Sequence, residues 1–334
     1  MRLPDAENWS RLSPLIDELL ELEAAPRSAR LLELCALHLD LAAPLRDLLA
    51  SDAPGERGGF LVGQVFPPAS DSPVAGQRVG AYTLERELGV GGMGAVWLGR
   101  RSDGRFEGEV AVKLPHLNAV PGGAERFARE ARLLGRLSHP NIASLLDAGL
   151  TEKSQPYLVI ELVNGEPIDR WCDQHGATVE RRVRLFLEVL AAVEHAHLKF
   201  VLHRDLKPGN ILVTAEGRVK LLDFGIAKLM EADGVAEQAT LAFFTIDYAA
   251  PEQIQGTELS TTTDVYALGV LLFQLLAGRH PTADPAQSRL ERMRAVVETE
   301  PKAMSTAAAE VTSGIAQRTS LSAPHALRRL RGDL

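Results

Sequence analysis

Between residues 201 and 213 the chain reads VLHRDLKPGNILV, which places His203, Arg204, Asp205, Lys207 and Asn210 between two apolar runs that look like buried strands. Five polar side chains in eight positions cannot all be core. Such a run is either an ordinary polar connection or a loop held rigid so that its side chains converge on one reacting centre. Lys113 in the apolar run VAVKL raises a similar question, because a strand there has little use for an ammonium unless it faces an anion or snorkels to water at an edge. Seventeen residues later Glu130 lies on a helical pattern whose apolar face runs Phe127, Ala131, Leu134 and Leu137. Upstream, YTLERELGVGGMGAVWLGR holds Gly89, Gly91 and Gly94 in the order GxGxxG. A dinucleotide site needs a helix directly after such glycines. Here AVWLGR and EVAVKL are short apolar runs joined by a turn at Ser102, Asp103 and Gly104, so the glycine loop lies between strands. Glycines in that setting let backbone N–H groups approach a phosphate closely.

The rest of the chain must position these groups. Its 334 residues are 46% hydrophobic, more than one core needs, which predicts two or three structural units. A net charge of −8 argues against a nucleic-acid-binding surface. Cys35 and Cys172, far apart, provide no disulfide framework and read as inert thiols in a reducing compartment. No apolar stretch approaches the roughly 18 to 20 residues of a membrane span, and the start MRLPDAENW lacks the layout of a signal peptide, so a cytoplasmic protein is expected. From Asp5 to Ala50 apolar residues recur at helical spacing (Trp9, Leu12, Ile16, Leu19, then Leu31, Leu34, Leu37, Leu41), which predicts two or three short amphipathic helices. They carry no ligand cluster, and packing or binding of a protein partner is their expected role. The runs SDAPGERGG at 51–59 and PPASDSPVAGQ at 67–77 read as linker, with a boundary near residue 80.

From about residue 82 onward six segments, LGVGGMGAV, VAVK, HPNI, HRDLKPGN, DFG at 223–225 and APE at 250–252, stand in the order of the protein kinase signature set. The chain resembles the bacterial, eukaryotic-like (Hanks-type) serine/threonine protein kinases. That resemblance implies an α+β, two-lobed fold, with an antiparallel β-rich small lobe and a mostly helical large lobe. A helical extension at 1–50 and a linker at 51–80 precede a kinase domain at 81–334. The implied reaction is transfer of the γ-phosphoryl group of ATP to protein serine or threonine hydroxyls, with autophosphorylation. The alternatives are a nucleotide-binding signalling scaffold without turnover and a small-molecule phosphotransferase.

The same resemblance assigns roles. Asp205 accepts or orients the hydroxyl proton, Lys207 neutralises charge on the γ-phosphate, and Asn210 and Asp223 hold Mg²⁺, with Mn²⁺ as the alternative metal. Leu88, Gly89, Val90, Gly91, Gly92, Met93, Gly94 and Ala95 form the loop over the nucleotide. Val96 and Ala111 cover the adenine from above and Leu212 from below, while backbone groups of Glu161 and Val163, after Ile160, bond its edge. Lys113 holds the α and β phosphates and is itself held by Glu130. Leu202, Ile211 and Val213 are expected to anchor the catalytic loop, and His203 to be a packed, structural histidine. Asp264, near the start of a capped helix ending at Gly278, is expected to bond the loop backbone from below. Thr245 matches the threonine that contacts the catalytic aspartate and lysine, Thr240 is a phosphorylation candidate with Arg204 as anchor, and Phe244 stands where a smaller residue is common. Gly209 occupies a position where arginine-selecting kinases place glutamate, so no strong basic preference is expected. In the family, a run like RRLRGDL at 328–334 leads into two more helices, the last pairing an arginine with the residue matching Glu252. Arg328, Arg329 and Arg331 lie too early for that, which implies a fragment with Glu252 unpaired and apolar surface uncovered around Leu271 and Leu275.

Overall fold

A helical period in the first fifty residues and a period of two after residue 80 divide the molecule. The computed structural model describes residues 11, 15, 19, 24–38, 41–42, 73–91, 94–104, 108–115, 123–224, 246–282, 284, 287–304 and 306–307. The expectations on Gly92, Met93, Thr240, Phe244, Thr245, the linker at 51–72 and the arginines at 328, 329 and 331 lie outside the described residues. In the extension, Arg11, Leu15 and Leu19 are helical, and α1 spans Ala24–Leu37.

Strands β1 (Arg78–Val79), β2 (Tyr82–Gly91), β3 (Gly94–Arg101) and β4 (Glu109–Pro115) follow in antiparallel succession. The sheet thus takes in Arg78 and Val79, which the composition of the linker had claimed; Val79 is fully buried and draws the chain in. After helix α2 (Gly123–Leu134) come β5 (Leu145–Leu150) and β6 (Pro156–Glu161), completing a six-stranded antiparallel sheet in the order β1-β2-β3-β4-β6-β5. In β4, Val110, Val112 and Leu114 are buried while Ala111 and Lys113 are partly open, so alternation places the last two on one face. The register with β3 sets Val96 opposite Lys113 and Leu98 opposite Ala111. The other face packs Val79, Tyr82, Leu84, Trp97, Val112 and Val159 into the small-lobe core. Helix α2 lays Phe127 and Ala131 on Leu158, as its apolar stripe requires.

The larger unit begins with β7 (Gly165–Pro167), α3 (Ile168–Gln174) and α4 (Val179–His197), followed by β8 (Ile211–Thr214) and β9 (Val219–Leu221), which form a three-stranded sheet with β7. Beyond residue 245 lie α5 (Pro251–Ile254), α6 (Thr261–Ala277) and α7 (Arg289–Glu298). Helix α6 is capped by the Ser260 side chain and stopped by Gly278 at φ 74°. Its Leu268, Leu271 and Leu275 pack with Leu185, Val189 and Val193 of α4 and with Ile211, Val213 and Leu221 of the strands. This corrects one expectation: Leu271 and Leu275 are core residues, covered by this contact. Among the described residues no helix is long and apolar enough to cross a membrane. Both cysteines are buried and free, and burial pushes the Cys172 thiol up to about 11.

Candidate active site

The catalytic loop runs from α4 to β8 and is fixed at both ends by apolar side chains. Val201, Leu206, Ile211 and Val213 are buried, whereas Leu202, an expected anchor, is only partly so. Residues 201–206 are not in a strand, so strand alternation does not govern which of them turn inward. Backbone hydrogen bonds fix the middle. The N–H groups of His203 and Arg204 each donate to the Asp264 carboxylate at 2.8 Å, and the His197 ring meets its Oδ2 at 2.7 Å. Asp264 is 1% exposed. Burial works to raise its pKa, but the His197 bond, the His203 ring and the two N–H donors outweigh it and hold the carboxyl below its ordinary range. Arg204 takes φ 64° and Asp223 φ 49°, left-handed conformations that cost a non-glycine residue about 1 to 3 kcal/mol each. The Asp264 carboxylate on the Arg204 N–H is one contact that offsets this strain. Asp264 therefore sits where the sequence placed it.

His203 is structural, as expected. Its Nε2 bonds the Leu222 carbonyl at 2.8 Å and its Nδ1 accepts from the Asp205 N–H at 3.3 Å, so the network assigns the proton to Nε2. Burial lowers its pKa, which keeps the ring neutral. Phe224 packs on it with ring centres 4.8 Å apart.

On this scaffold Asp205, Lys207 and Asn210 converge. Lys207 Nζ lies 2.9 Å from Asp205 Oδ2, and Asn210 Nδ2 donates to the same carboxylate at 3.0 Å and to the Asp205 carbonyl at 2.8 Å. With its amide hydrogens directed at Asp205, Asn210 has its side-chain oxygen to offer a metal. That oxygen and the Asp223 carboxylate are hard donors suited to Mg²⁺. No cluster of three or more His, Cys, Asp or Glu suited to a metal occurs among the described residues, so phosphate oxygens and water must complete the shell.

The small-lobe side departs from expectation. Lys113 Nζ is paired with Asp223 Oδ1 at 3.0 Å, and among the described residues it makes no ion pair with Glu130. The charge of Glu130 acts on Arg204, whose pKa burial lowers and this carboxylate raises. Helix α2 docks through Phe127 and Ala131, in a placement that leaves Glu130 out of ion-pair reach of Lys113. Behind Ile160 a cavity of ≈ 30 Å³ is lined by Lys113, Leu134, Leu145, Ile160, Asp223 and Phe224.

Of the residues expected to face the nucleotide, Val96 and Ala111 share a face of the six-stranded sheet and Leu212 lies in the three-stranded one. Val96, Ala111 and Leu212 are each partly open between two buried neighbours, and Lys220 stands opposite Leu212 across β8 and β9. Gly91 pairs with Gly94 where β2 turns into β3, and Leu88, Gly89, Val90, Ala95 and Val96 run in these two strands. Gly94 has no substitute: its φ is +131°, and a Cβ there would meet the Leu114 carbonyl oxygen at 2.2 Å. Two contacts escaped the sequence. Glu161 is gripped by Lys220 Nζ at 2.7 Å and by the Ser144 N–H at 3.1 Å, tying the strand β6 end to β9. Leu212, which the family resemblance set under the nucleotide, has Lys220 as its cross-strand partner. Gln253 Nε2 donates to the Arg204 carbonyl at 3.1 Å, and no sequence signal marks it.

Comparison with known proteins agrees with this geometry. The family described as Protein kinase domain matches residues 82–323. The chain is 41% identical over 211 residues to the serine/threonine-protein kinase PknA of Mycobacterium tuberculosis, which covers 61% of this chain and 48% of that protein. It is 41% identical over 224 residues to the serine/threonine-protein kinase Pkn1 of Myxococcus xanthus, covering 64% of this chain and 31% of that protein. The chain thus spans between about a third and a half of these relatives' length. Among solved structures, the PknI kinase domain of Mycobacterium tuberculosis superposes with a TM-score of 0.53 at 26% identity, over 78% of this chain and 100% of that one.

Proposed function

This chain belongs to the protein kinase domain family, and on that premise we propose that it transfers the γ-phosphoryl group of ATP to serine and threonine hydroxyls of proteins. The observation that carries the reading is the Asp205 carboxylate with Lys207 at 2.9 Å and Asn210 at 3.0 Å, on a loop whose backbone is tied to Asp264. Asp205 takes the proton of the acceptor hydroxyl as its oxygen bonds to the γ-phosphorus and the bond to the β-phosphate oxygen breaks. Lys207 offsets charge on the transferring group. Phosphoryl transfer is mostly positioning and electrostatic stabilisation, so loss of one such group costs on the order of 10²- to 10³-fold. Mg²⁺ held by the Asn210 oxygen and Asp223 would neutralise β- and γ-phosphate oxygens.

Adenine fits between Val96 and Ala111 on one side and Leu212 on the other. The Glu161 N–H is already given to the Ser144 carbonyl at 2.9 Å, so the Val163 N–H is the expected donor to the ring edge. Lys113 leaves Asp223 for the phosphates during turnover and takes Glu130 as its carboxylate partner. With Gly209 between Pro208 and Asn210, strong selection for arginine in the acceptor is not expected. Buried free thiols suit a cytoplasmic site of action. The test is incubation with labelled ATP and Mg²⁺ followed by phosphosite mapping. Phosphoserine and phosphothreonine on a protein acceptor and on the chain itself are expected; label confined to small molecules, or no transfer, refutes the reading.

A further inference from the structure

The N-terminal extension packs against the large lobe at a place that bears on catalysis. Leu19, Leu34, Cys35, Leu41 and Ala42 form one apolar cluster with Ile246, Ala249 and Ile254, and with Met293 and Val296 of α7. Leu19 is fully buried, and Leu34 and Leu41 are each 2% exposed, so this is core packing. The segment they touch is tied to the catalytic loop. Gln253, itself 5% exposed, donates from Nε2 to the carbonyl of Arg204, the residue before Asp205, and its Oε1 accepts from the Ala250 N–H at 3.0 Å. Neighbouring side chains in α5 therefore have different partners, Gln253 the catalytic loop and Ile254 the apolar cluster that the extension shares with α7. The polar ties of the turn at Ile246–Tyr248 come from elsewhere: Arg292 bonds Asp247 at 2.7 Å, His280 bonds the Asp247 carbonyl, and Tyr248 donates to Gln274. The apolar side of the segment is closed by α7 and the extension together.

We infer that the N-terminal extension is a built-in brace for catalysis: Leu19, Leu34 and Leu41 are positioning residues that act through Ile254 and Gln253 to fix the loop carrying Asp205. This rests on the kinase reading of that site. Arg204 holds a left-handed conformation at φ 64°, and a hydrogen bond to its carbonyl is one of the contacts that keep it there. Loosening the brace should degrade the aim of the Asp205 carboxylate and leave the nucleotide cleft, built by β3, β4 and β8, as it is. A small misplacement of a catalytic group costs up to about 10²-fold in rate.

The test uses the full chain. Leu34→Asp puts a carboxylate into the cluster; Leu34→Met keeps its volume; Leu32→Asp changes the outer side of α1, where Leu32 is 69% exposed. Three quantities are read: hydrogen exchange in 246–254 and 289–298, ATP binding in Mg²⁺, and transfer from labelled ATP to myelin basic protein per nucleotide-binding site. For Leu34→Asp the expected result is faster exchange in both segments, a fall in kcat on the order of tenfold, and an ATP affinity within about twofold of the parent. The other two variants should match the parent. Unchanged exchange in Leu34→Asp removes the contact and with it the proposal. Faster exchange with undiminished kcat overturns the brace, and a rise in kcat would mark the extension as an inhibitory cover instead. If the parent itself transfers no phosphate, the kinase reading and the catalytic role of the brace fall together, while the exchange data still decide whether the extension holds the segment.

Discussion

On the large-lobe side of the cleft, Asp205 and Asn210 stand on a loop whose N–H groups at His203 and Arg204 both end on one buried carboxylate. On the small-lobe side, Lys113 stands on a strand and Glu130 on a separate helix, and the ion pair that forms joins Lys113 to Asp223. The first half is closed by short-range hydrogen bonds between residues locked in place. The second depends on where a whole helix rests against a sheet, and apolar contacts such as those of Phe127 and Ala131 tolerate more than one placement. On the proposed function, the groups on the loop already stand together, and Glu130 would have to come to Lys113 by a shift of α2.

The largest effect that sharpens this contrast is loss of the reacting groups. Asp205→Asn and Lys113→Met should each lower phosphoryl transfer on the order of 10³-fold or more with thermal unfolding close to the parent. Next comes the carboxylate under the loop. Asp264→Ala strips partners from two N–H groups and from His197, and should cost roughly 3 to 5 kcal/mol, read as a lowered Tm together with lost activity. Retained Tm would mean the loop does not depend on Asp264. Acid should act on the same half. Burial holds the pKa of His203 and of His280, the latter beside Asp247 and Arg292, below the ordinary 6.5. As pH falls through 6.5 the unfolded chain takes up protons that these rings exclude, so stability is complete above 6.5 and declines toward their folded pKa values. Asp264, held below its ordinary 3.8, has the same sense in a lower window: its contribution is complete above 3.8 and is lost as pH falls from there toward its folded pKa. Denaturant midpoints from pH 8 to pH 4 should show the decline beginning near pH 6.5, and a flat profile would contradict it. The smallest expected effect lies on the other half. Glu130→Gln should change stability by no more than about 0.5 kcal/mol while lowering turnover, which separates a residue needed in the assembled site from one needed for the fold.

What could be read from the sequence follows the same division. The ammonium in VAVKL marked Lys113 as unusual, and the run HRDLKPGN marked Asp205, Lys207 and Asn210, whose side chains meet with Lys207 and Asn210 within 3.0 Å of one Asp205 oxygen. The contact of Asp264 with the loop, sixty residues away in the chain, was legible only through the family resemblance. Several of the failures are tertiary. Leu271 and Leu275 were expected to lose their cover with helices beyond residue 334, whereas α4 covers them from far away in the chain. The Lys113 partner depended on the docking of α2, and the tie from Gln253 to Arg204 joins segments whose spacing carries no pattern. The extension showed its helical period but not the surface it would find.

The most direct measurement is the single-turnover rate of phosphate transfer from MgATP to a serine- and threonine-bearing protein acceptor, taken for the parent and for Asp205→Asn with the unfolding temperature of each recorded alongside. A transferring parent, a variant slower by on the order of 10³-fold and matched unfolding temperatures are predicted. Equal rates in the two proteins would contradict the assignment of Asp205, and with it the account of the loop as the preformed half of the site.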